Sequence, residues 1–498
     1  MDRLLDSLAG WKPFSALVVG DFMLDQLVYG NAERLSADAP VPVLHVVRCE
    51  DRPGGSANVC LDLAALKGNV EAAGVTGDDP HGAILRQALS AEGVGVGMLM
   101  SDRSRPTTTK QNLIGLAQTR HPQKMFRVDY ESKASLDPAV TGRLLDAVRA
   151  AVSGVDVVCI EDYNKGVCGE AVCQGVIRAA RKAGKPVFVD PARIADYSKY
   201  RGATAITPNR NEAEHATGLR TLDDESGGPG ESAARVAHAL VTALDLEAVV
   251  LTLDRHGALL LERDGSPVAV PTVAREVYDV TGAGDMFLAA LAAGRANDLP
   301  WFESVRLANA AAGLEVEVFG VQPIPLERVH QFLLDQAGRL AGKVRPLAAL
   351  MPEVEARRRL GQRVVFTNGC FDILHTGHVT LLERAKALGD YLVVGLNTDA
   401  SVSRLKGPSR PVNAQDDRAR VLSSLAAVDA VTFFDEDTPL RLIETIRPAV
   451  LAKGSDYTKD RVVGADLVES WGGRVELIDL VPGKSTSATI RRAGIAAG

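Results

Sequence analysis

The sequence predicts an α/β protein with two doubly wound parallel sheets, the second smaller than the first. Its 498 residues exceed what a single hydrophobic core usually serves, so more than one domain is expected. Short β-branched runs alternate with Ala- and Leu-rich helical stretches, which is the rhythm of parallel strands covered by helices on both faces. A charged stretch near residue 350 interrupts this rhythm once, and the alternation then starts again.

The elements follow in order along the chain. Strands of the first unit are predicted at 16–20, 155–160, 186–190 and 248–252, and helices at 304–316 and 326–340. Strands of the second unit are predicted at 363–367, 391–396, 430–434 and 449–452. Residues 40–47 alternate like an exposed strand, which indicates a lid over the first site or a pairing edge. We therefore expect a first domain over 1–340, a linker over 341–360 and a second domain over 361–498.

Composition excludes several classes of protein. The net charge of −7, with Lys and Arg scattered along the chain, argues against a nucleic-acid partner. No apolar stretch reaches the roughly 20 residues that a membrane-spanning helix needs, and the N-terminus lacks the pattern of a secretory signal. The six cysteines show no Cys-x-x-Cys or zinc spacing, which predicts reduced thiols without a disulfide framework. These features predict a cytoplasmic protein.

A Gly-rich turn, Asp-Val-Thr-Gly-Ala-Gly-Asp at 279–285, is the first candidate site. It precedes an apolar stretch, so it is expected to open a helix. Small residues at Gly282, Ala283 and Gly284 let backbone N–H groups converge on an anion, and the helix N-terminus adds favourable partial charge. Asp285, on the first helical turn, is placed to take a proton from an attacking hydroxyl during phosphoryl transfer. For an isolated Gly-Ala-Gly-Asp, a plain helix-start residue favoured by the helix dipole is the better explanation of Asp285.

Other segments favour the catalytic interpretation of Asp285. Together, and in the same order along the chain, they resemble the motifs of the ribokinase-like carbohydrate kinases. The resemblance implies a ribokinase-like fold with a small β lid, and ATP bound at the Gly-rich turn. It implies sugar contacts at Asp21, Gly54, Gly55 and Asn58. It implies ATP and phosphate contacts at Asn209, Glu212, Thr281, Gly282, Ala283, Gly284 and Asn309. Mg²⁺ is expected with the ATP phosphates rather than on fixed protein ligands, with help from Glu212 and Asp279. The alternative for residues 209–212 is a polar helix start after Pro208.

A second motif, Gly-Cys-Phe-Asp-Ile-Leu-His-Thr-Gly-His at 369–378, runs from a predicted strand end through a turn into a helix. His375 and His378 are spaced i, i+3 and are expected on one helical face, and Gly377 lets a nucleotide approach the backbone. Two imidazoles can hydrogen-bond an α-phosphate as charge builds in an in-line displacement. A zinc pair is usually spaced i, i+4 and needs further ligands, which are not apparent. Two helix-start histidines without a function are the other alternative.

This second motif resembles the His-x-Gly-His nucleotidyltransferases of the cytidylyltransferase type, which implies a smaller Rossmann-like domain. The nucleotide and phosphate contacts implied by the resemblance are Thr367, Gly369, Phe371, Lys406, Lys453, Thr486 and Ser487. Cys370 stands where many cytidylyltransferases carry Thr, which weakens an expectation of CTP. We interpret Cys370 as a buried thiol rather than a nucleophile.

A narrower resemblance covers nearly the whole chain. Segments 33–43, 50–55, 126–129 and 367–372 resemble the bifunctional heptose 7-phosphate kinases/heptose 1-phosphate adenylyltransferases of lipopolysaccharide-core synthesis. This implies that the first domain makes heptose 1,7-bisphosphate from ATP and heptose 7-phosphate. It implies that the second makes ADP-heptose and pyrophosphate from ATP and heptose 1-phosphate. A separate phosphatase must then act between the two steps, and a homodimer through the lid is expected.

Two alternatives are compatible with the sequence. A fusion of the same two domains could act on another sugar or polyol phosphate, with CTP as a possible nucleotide, because sequence does not display the contacts that read hydroxyl stereochemistry. A regulatory or scaffolding protein with degenerate kinase and transferase folds is the second, since fold alone does not secure activity. The presence of Asp285, both motif histidines and Lys406 argues against the second alternative.

Overall fold

The computed structural model describes residues 3–117, 120–223, 230–272, 281–317, 322–455 and 458–479. In chain order, the strands in these residues are β1 (Phe14–Gly20), β2 (Phe22–Leu35), β3 (Pro42–Gly55), β4 (Gly68–Gly77), β5 (Gly95–Asp102), β6 (Thr108–Ala117), β7 (Arg120–Tyr130), β8 (Val157–Glu161), β9 (Val187–Asp190), β10 (Ala205–Ile206), β11 (Ala248–Thr252), β12 (Ala258–Glu262), β13 (Val268–Val270), β14 (Val364–Gly369), β15 (Tyr391–Asn397), β16 (Ala430–Phe434), β17 (Val450–Gly454) and β18 (Arg474–Ile478).

The α-helices in the same residues are α1 (Arg3–Ala9), α2 (Ser56–Ala65), α3 (Pro80–Ala91), α4 (Pro138–Ala151), α5 (Glu170–Lys182), α6 (Arg210–Thr217), α7 (Glu231–Leu244), α8 (Ala283–Ala296), α9 (Trp301–Glu315), α10 (Leu326–Ala341), α11 (Leu347–Arg359), α12 (Thr376–Lys386), α13 (Asp399–Lys406), α14 (Gln415–Ser423), α15 (Leu440–Ile446) and α16 (Ala465–Ser470). The predicted α/β fold class is confirmed. The described chain divides into two compact units, a larger one within 11–329 and a smaller one formed by residues before 11 and after 329.

The larger unit is built on a sheet whose described strands run in the order β13-β12-β11-β10-β9-β8-β1-β4-β5. Strands β4, β5, β1, β8, β9, β10 and β11 pair in parallel, and β12 and β13 add an antiparallel edge. After β1 the chain first builds one side of the sheet, with β4 and β5, and then returns to place β8 on the other side. The strand order therefore reverses between β1 and β8, and ligands of doubly wound sheets bind at such a reversal, beyond the carboxyl ends of the strands.

A second sheet in the larger unit has the order β3-β2-β6-β7 and forms the expected lid. β2 pairs antiparallel with β3 and parallel with β6, and β6 pairs antiparallel with β7. The expected strand at 40–47 is the first part of β3, which is longer and ends at Gly55. Exposed apolar side chains on the lid include Leu35, Val47 and Phe126.

Helix α8 is the central helix of the larger unit. Its residues from Asp285 to Gly294 are all buried, because Ala and Gly on every face allow close packing against α2, α9 and the strands β8 and β9. Its N-terminus lies next to the carboxyl ends of β8 and β9, since Asp285 lies within ligand distance of Glu161 and Asp190. The first candidate site is therefore formed where the strand order reverses.

The smaller unit contains a parallel sheet with the order β16-β15-β14-β17-β18. Its strand order reverses between β14 and β17, so the carboxyl ends of these two strands are the expected ligand position. Buried side chains on one face include Val364 and Phe366, and those on the other include Val365 and Val394. This sheet carries the second motif at the end of β14.

Helix α11 lies within the stretch expected to be a linker. Its residues Leu350 and Val354 are fully buried in a core cluster of the smaller unit. Glu353, also buried, forms ion pairs with Arg345 at 2.7 Å and with Arg357 at 2.8 Å. These residues pack as part of the smaller unit rather than as a solvated connection.

Two expectations concern the whole chain. Within the described residues, no helix combines the length and the apolar character needed to cross a bilayer.

The six cysteines are free thiols; four are buried, Cys49 is exposed and Cys370 is half-buried. Cys370 lines a cavity, so the interpretation of a buried thiol is corrected to a partly exposed one.

Candidate active sites

Asp285 lies at the third position of α8, and its carboxylate is held by two side chains. Gly282 precedes the helix with φ of 91°, a backbone conformation that glycine adopts easily. The amide Nδ2 of Asn58 donates to Asp285 Oδ2 at 2.9 Å, and the hydroxyl of Tyr163 donates to Oδ1 at 2.8 Å. The predicted base is therefore present, buried and oriented, while the alternative of a plain helix-start residue leaves these two donors unexplained.

The environment of Asp285 sets its protonation. Burial raises the pKa of Asp285 to about 6, and the hydrogen bonds from Asn58 and Tyr163 and the charge of Lys110 oppose that rise. A carboxyl group with a pKa near the working pH suits a general base, because it is mostly ionised yet can accept a proton. The acidity of Asp285 is therefore suited to proton removal from a hydroxyl.

Two further carboxylates meet Asp285 at the strand ends. Oxygen atoms of Glu161, Asp190 and Asp285 all lie within 4.8 Å of one another. Glu161 ends β8 and is 1% exposed, and among the described residues its Oε2 has no hydrogen-bond partner. Burial and the neighbouring carboxylates raise the pKa of Glu161 and of Asp190 well above the usual range. An arrangement of this kind has the oxygen donors that a divalent cation prefers.

Asp21, expected to contact the sugar, has a different set of partners. Its carboxylate accepts three backbone N–H groups, from Tyr163 at 3.0 Å, Lys165 at 3.0 Å and Val167 at 3.1 Å. Burial raises the pKa of Asp21 to about 6 against these hydrogen bonds. Most of its acceptor capacity is used inside the protein, where it fixes the loop that carries Tyr163.

Asp25, four residues later, is a site residue that sequence reasoning missed. It lies on β2 opposite Lys110 of β6, and within the described part of the chain no side-chain hydrogen bond occupies its carboxylate. A Cβ atom on Gly54 would lie 2.4 Å from Asp25 Oδ2, so the expected glycine makes room for this carboxylate. Gly55 has φ of 56° and turns the chain into α2, which places Asn58 on Asp285.

The segment expected to order ATP and metal begins α6. Asn209 Oδ1 accepts the N–H of Glu212 at 3.0 Å, and Glu212 Oε2 accepts the N–H of Asn209 at 2.8 Å, which is a capping box. Residues 209–212 therefore form a polar helix start, as the alternative interpretation of this segment expected. Glu212 also acts on the pKa of Asp190, so it lies beside the carboxylate group.

The remaining nucleotide contacts expected in the larger unit are less informative. The amide of Asn309 donates to the carbonyl of Val270 at 2.8 Å and ties α9 to β13. Thr281 is exposed just before the Gly-rich turn. Asp279 lies outside the described residues, and its help to a metal stays a prediction.

In the smaller unit, a cavity of about 480 Å³ lies at the carboxyl ends of β14 and β17. The expected residues Thr367, Gly369, Phe371, His375, His378, Lys406 and Lys453 all line this cavity. Arg461 and Asp437 line it too, and neither was predicted from the sequence. Thr486 and Ser487 lie outside the described residues and stay predictions.

The two histidines are close together as expected, but they do not share one helical face. His375 is the N-cap of α12 with an extended backbone, φ −142° and ψ 169°, so it is not on the helical face. His378 is the third helical residue, and the two rings stack with centroids 3.9 Å apart. Burial, together with the charges of His375 and Lys406, lowers the pKa of His378 to about 4. His378 is therefore neutral near neutral pH in the free protein.

Further contacts fix the walls of this cavity. The ring of Phe371 packs edge-on against His378 with centroids 5.1 Å apart, and Gly369 allows that ring to approach, since a Cβ there would lie 3.1 Å from it. Lys453 Nζ donates to the carbonyl of Asn368 at 3.1 Å, which links β17 to β14. Two lysines and two imidazoles thus face one cavity, which suits a polyphosphate.

Buried polar contacts that were not predicted from the sequence hold the motif at 369–378 in place. Asp372, 3% exposed, accepts the N–H groups of Val412 at 2.7 Å and Asn413 at 3.0 Å and is ion-paired with Arg410. Arg418 donates to the carbonyl of Cys370 at 2.6 Å. These bonds hold the loop that follows Lys406 against the Gly-x-Phe-Asp turn.

Comparisons with known proteins agree with both halves of the chain. The model of the pfkB family carbohydrate kinases matches residues 14–328, and the cytidylyltransferase-like model matches residues 366–492. Among solved structures, ribokinase of Arabidopsis thaliana in complex with ribose and ATP is 22% identical with a TM-score of 0.50, over 65% of this chain and 99% of that one. Phosphofructokinase-2 of Escherichia coli is 19% identical with a TM-score of 0.53, over 66% of this chain and 100% of that one. At these identities the likeness shows the fold alone.

The fold and the two sites define a bifunctional transferase, in which a carbohydrate kinase precedes a nucleotidyltransferase. Relatives that match almost the whole chain define the family more narrowly than the two domain families do. Bifunctional protein HldE of Syntrophotalea carbinolica is 44% identical over 494 residues, 99% of this chain and 98% of that protein. Bifunctional protein HldE of Geobacter sulfurreducens is 46% identical over 478 residues, 96% of this chain and 95% of that protein. The chain belongs to the HldE family.

Proposed function

We propose that the chain catalyses two steps of ADP-heptose synthesis for the lipopolysaccharide core. The larger unit transfers the γ-phosphoryl group of ATP to O1 of heptose 7-phosphate and forms heptose 1,7-bisphosphate. The smaller unit transfers the adenylyl group of ATP to heptose 1-phosphate and forms ADP-heptose and pyrophosphate. Family membership over almost the whole chain supports this pair of reactions. It favours neither another sugar phosphate with CTP nor a degenerate scaffold.

The kinase reaction centres on Asp285. The acceptor hydroxyl binds beside this carboxylate, which takes its proton as the phosphoryl group arrives. The backbone of Thr281, Gly282, Ala283 and Gly284 and the N-terminus of α8 face the transferring phosphoryl group and stabilise its charge. Asn58 and Tyr163 orient Asp285, and their hydrogen bonds keep its ionised form available.

Mg²⁺ fits the carboxylate group beside the base. We assign its binding to Glu161 and Asp190, with Glu212 adjacent, because a buried oxygen of Glu161 lacks a partner among the described residues. The ion supplies charge neutralisation for the ATP phosphates. This differs from the sequence-based expectation that no fixed protein ligands are needed.

ATP and the sugar approach the base from two sides. We propose that Asn209, Glu212 and Asn309 border the ATP phosphates and adenosine. On the sugar side, Gly54 leaves room for the Asp25 carboxylate, and we propose that Asn58 and Asp25 face the sugar. Asp21 acts on the sugar through the loop that it fixes, because three backbone N–H groups already engage its carboxylate.

The second reaction is an in-line displacement without a covalent enzyme intermediate. The phosphate of heptose 1-phosphate attacks the α-phosphorus of ATP, and pyrophosphate leaves. His375, His378, Lys406 and Lys453 surround the cavity and stabilise the charge that builds on the phosphates. Thr367, Gly369 and Phe371 form the wall against which the nucleotide binds, and Thr486 and Ser487 are proposed phosphate contacts.

Several further proposals concern the protein in its pathway. The product of the first reaction carries two phosphates and the substrate of the second carries one, so a separate phosphatase acts between them. A cytoplasmic location is supported by the use of ATP in both proposed reactions. A homodimer through the lid is supported by the exposed apolar residues Leu35, Val47 and Phe126 and by the long edge strand β3. Sedimentation velocity of the purified chain tests the dimer.

The domain limits are a proposal as well. The buried packing of α11 supports a start of the transferase domain before residue 347, close to the division at 329/330. We therefore propose that the region expected as a linker, 341–360, is part of the transferase domain. A transferase fragment that begins at residue 330 should fold, and one that begins at residue 361 should not.

The observation that carries the kinase assignment is the pair of hydrogen bonds that orient buried Asp285 at the start of α8. The test is product analysis by mass spectrometry, with ATP, Mg²⁺ and either heptose 7-phosphate or heptose 1-phosphate. Asp285→Asn should lower bisphosphate formation by roughly 10² to 10⁴ and leave ADP-heptose formation intact. His378→Ala should do the reverse. If either variant, correctly folded, lost both reactions, the assignment of two independent sites would be wrong.

A further inference from the structure

The lid presents a row of charged residues on one face. In register across its four strands lie Arg52 of β3, Asp25 of β2, Lys110 of β6 and Asp129 of β7. Residues directly opposite each other on paired strands point to the same side of a sheet. The next row on this face contains Glu50, Leu27, Asn112 and Arg127.

This face is turned towards the kinase site. The ammonium of Lys110 lies 5.1 Å from the ring centroid of Tyr163. The hydroxyl at the far end of that ring is bonded to Asp285 at 2.8 Å. Lys110 therefore lies over the ring of the tyrosine whose hydroxyl orients the proposed base, so a substrate bound beside Asp285 has this ammonium near it.

Lys110 makes no ion pair within 4.0 Å among the described residues, although Asp25 lies opposite it on β2 and each charge acts on the other at longer range. Its register neighbour Asp129 is bound by Arg127 through two hydrogen bonds, of 2.7 Å and 2.8 Å. Arg52 is ion-paired with Glu50 at 3.0 Å. Across the residues that the structure describes, no carboxylate lies within 4.0 Å of the half-buried Lys110 ammonium. A partly buried ammonium that no carboxylate contacts directly keeps its hydrogen-bond donors available, and a bound anion can accept from them.

We infer that Lys110 binds the phosphate that the sugar substrate already carries, and so makes the kinase specific for a sugar phosphate over the free sugar. The inference rests on the proposed kinase function and adds a specificity residue to it. A phosphate dianion accepts charge-assisted hydrogen bonds from an ammonium. Arg127, diagonal to Lys110 on the same face, adds positive potential around that position.

A different role for Lys110 must be distinguished from this one. Its charge also acts on Asp285, so it could serve the base or the transferring phosphoryl group instead. Those roles would affect every acceptor sugar equally. Binding of the second phosphate affects only the acceptor that has one. The ratio of kcat/KM for the phosphorylated and free sugars separates the two cases.

The experiment compares heptose 7-phosphate with unphosphorylated heptose as acceptors, using the full chain, ATP and Mg²⁺. In Lys110→Met, kcat/KM for heptose 7-phosphate should fall by about 10- to 100-fold, mainly through KM, which is the range for losing one charge-assisted hydrogen bond. For free heptose it should change less than about threefold once compared at the pH plateau of each variant. Lys110→Arg should retain most of the preference.

Lys133→Met is the matched control, because it removes a lysine charge from the exposed loop after β7. It should leave both values unchanged. ADP-heptose formation by the same preparations reports correct folding and concentration. Equal losses on both sugars in Lys110→Met would overturn the inference and leave the proposed function standing. A wild-type chain that phosphorylates neither sugar would overturn the proposed function and the inference with it.

Discussion

Tyr163→Phe tests the assignment of Asp285 as the base without removing the base itself. The substitution deletes one O–H donor that lies 2.8 Å from Asp285 Oδ1. A hydrogen bond to a charged acceptor contributes about 1.5 to 3 kcal/mol, and one pKa unit corresponds to about 1.4 kcal/mol. Because the lost bond favours the ionised carboxylate, the pKa of Asp285 should rise from about 6 by roughly 1 to 2 units.

The assay is kcat/KM of the kinase reaction between about pH 5 and about pH 9, which reports the pKa of the free enzyme's base. The base acts only when ionised, so activity falls on the acidic side, and a higher pKa moves this fall to higher pH. Near neutral pH the ionised fraction should drop from about nine-tenths to between about one-half and one-tenth. The rate should fall by the same factor there and recover towards the alkaline end.

Tyr197→Phe is the control for removing a buried tyrosine hydroxyl from the same unit. Within the described residues, the Tyr197 hydroxyl is buried and has no hydrogen-bond partner, so its loss should leave the pH profile in place. If Tyr163→Phe lowered activity equally at every pH, the hydroxyl would not act on the acidity of Asp285.

Two predictions concern the transferase domain. Lys406→Met should raise the pKa of His378 from about 4 towards its ordinary value, because a neighbouring positive charge is removed; an NMR titration of the ring would measure this, and an unchanged pKa would refute the electrostatic cause. Arg410→Gln should lower the stability of this domain by about 3 kcal/mol, since it leaves buried Asp372 without its counter-charge. Arg404→Gln, at an exposed ion pair, is its control and should leave stability nearly unchanged in the same denaturant unfolding experiment.

Much of the fold was predictable because its signals are local. Strand and helix alternation gave both doubly wound sheets, and motif residues gave Asp285 and the two histidines. Lys110 and Asp25 were not predictable in this way, because they face each other only through the parallel pairing of β2 with β6, and no local pattern encodes that register. His375 was placed on a helical face because i, i+3 spacing was applied one residue before the helix begins.

Glu161 and Asp190, which were also missed, are marked in the sequence by their positions at the ends of predicted strands. Glu161 and Asp190 each end a strand, as Asp21 follows one, and the strands β1, β8 and β9 are neighbours in the sheet. Acidic residues at the carboxyl ends of adjacent parallel strands predict a shared site once the strand order is known. The sequence shows the strand ends but not their order, so the cluster becomes visible only in the structure.

Asp21 and Asp285 both have a pKa of about 6, yet their partners predict opposite effects on stability. Asp21 accepts three backbone N–H groups, and the amide of Asp21→Asn keeps only one acceptor oxygen, so at least one buried N–H loses its partner. This should cost about 1 to 3 kcal/mol and loosen the loop that carries Tyr163.

Asp285→Asn instead removes one negative charge from the cluster with Glu161 and Asp190, so it should leave stability unchanged or raise it while abolishing kinase activity. Thermal unfolding of both variants, with hydrogen exchange of residues 163–167, measures the contrast. Equal melting temperatures and equal exchange in the two variants would show that Asp21 does not hold this loop. The same contrast distinguishes a carboxylate engaged by rigid backbone donors from one oriented by side chains, and only the second is free to exchange its proton with a substrate.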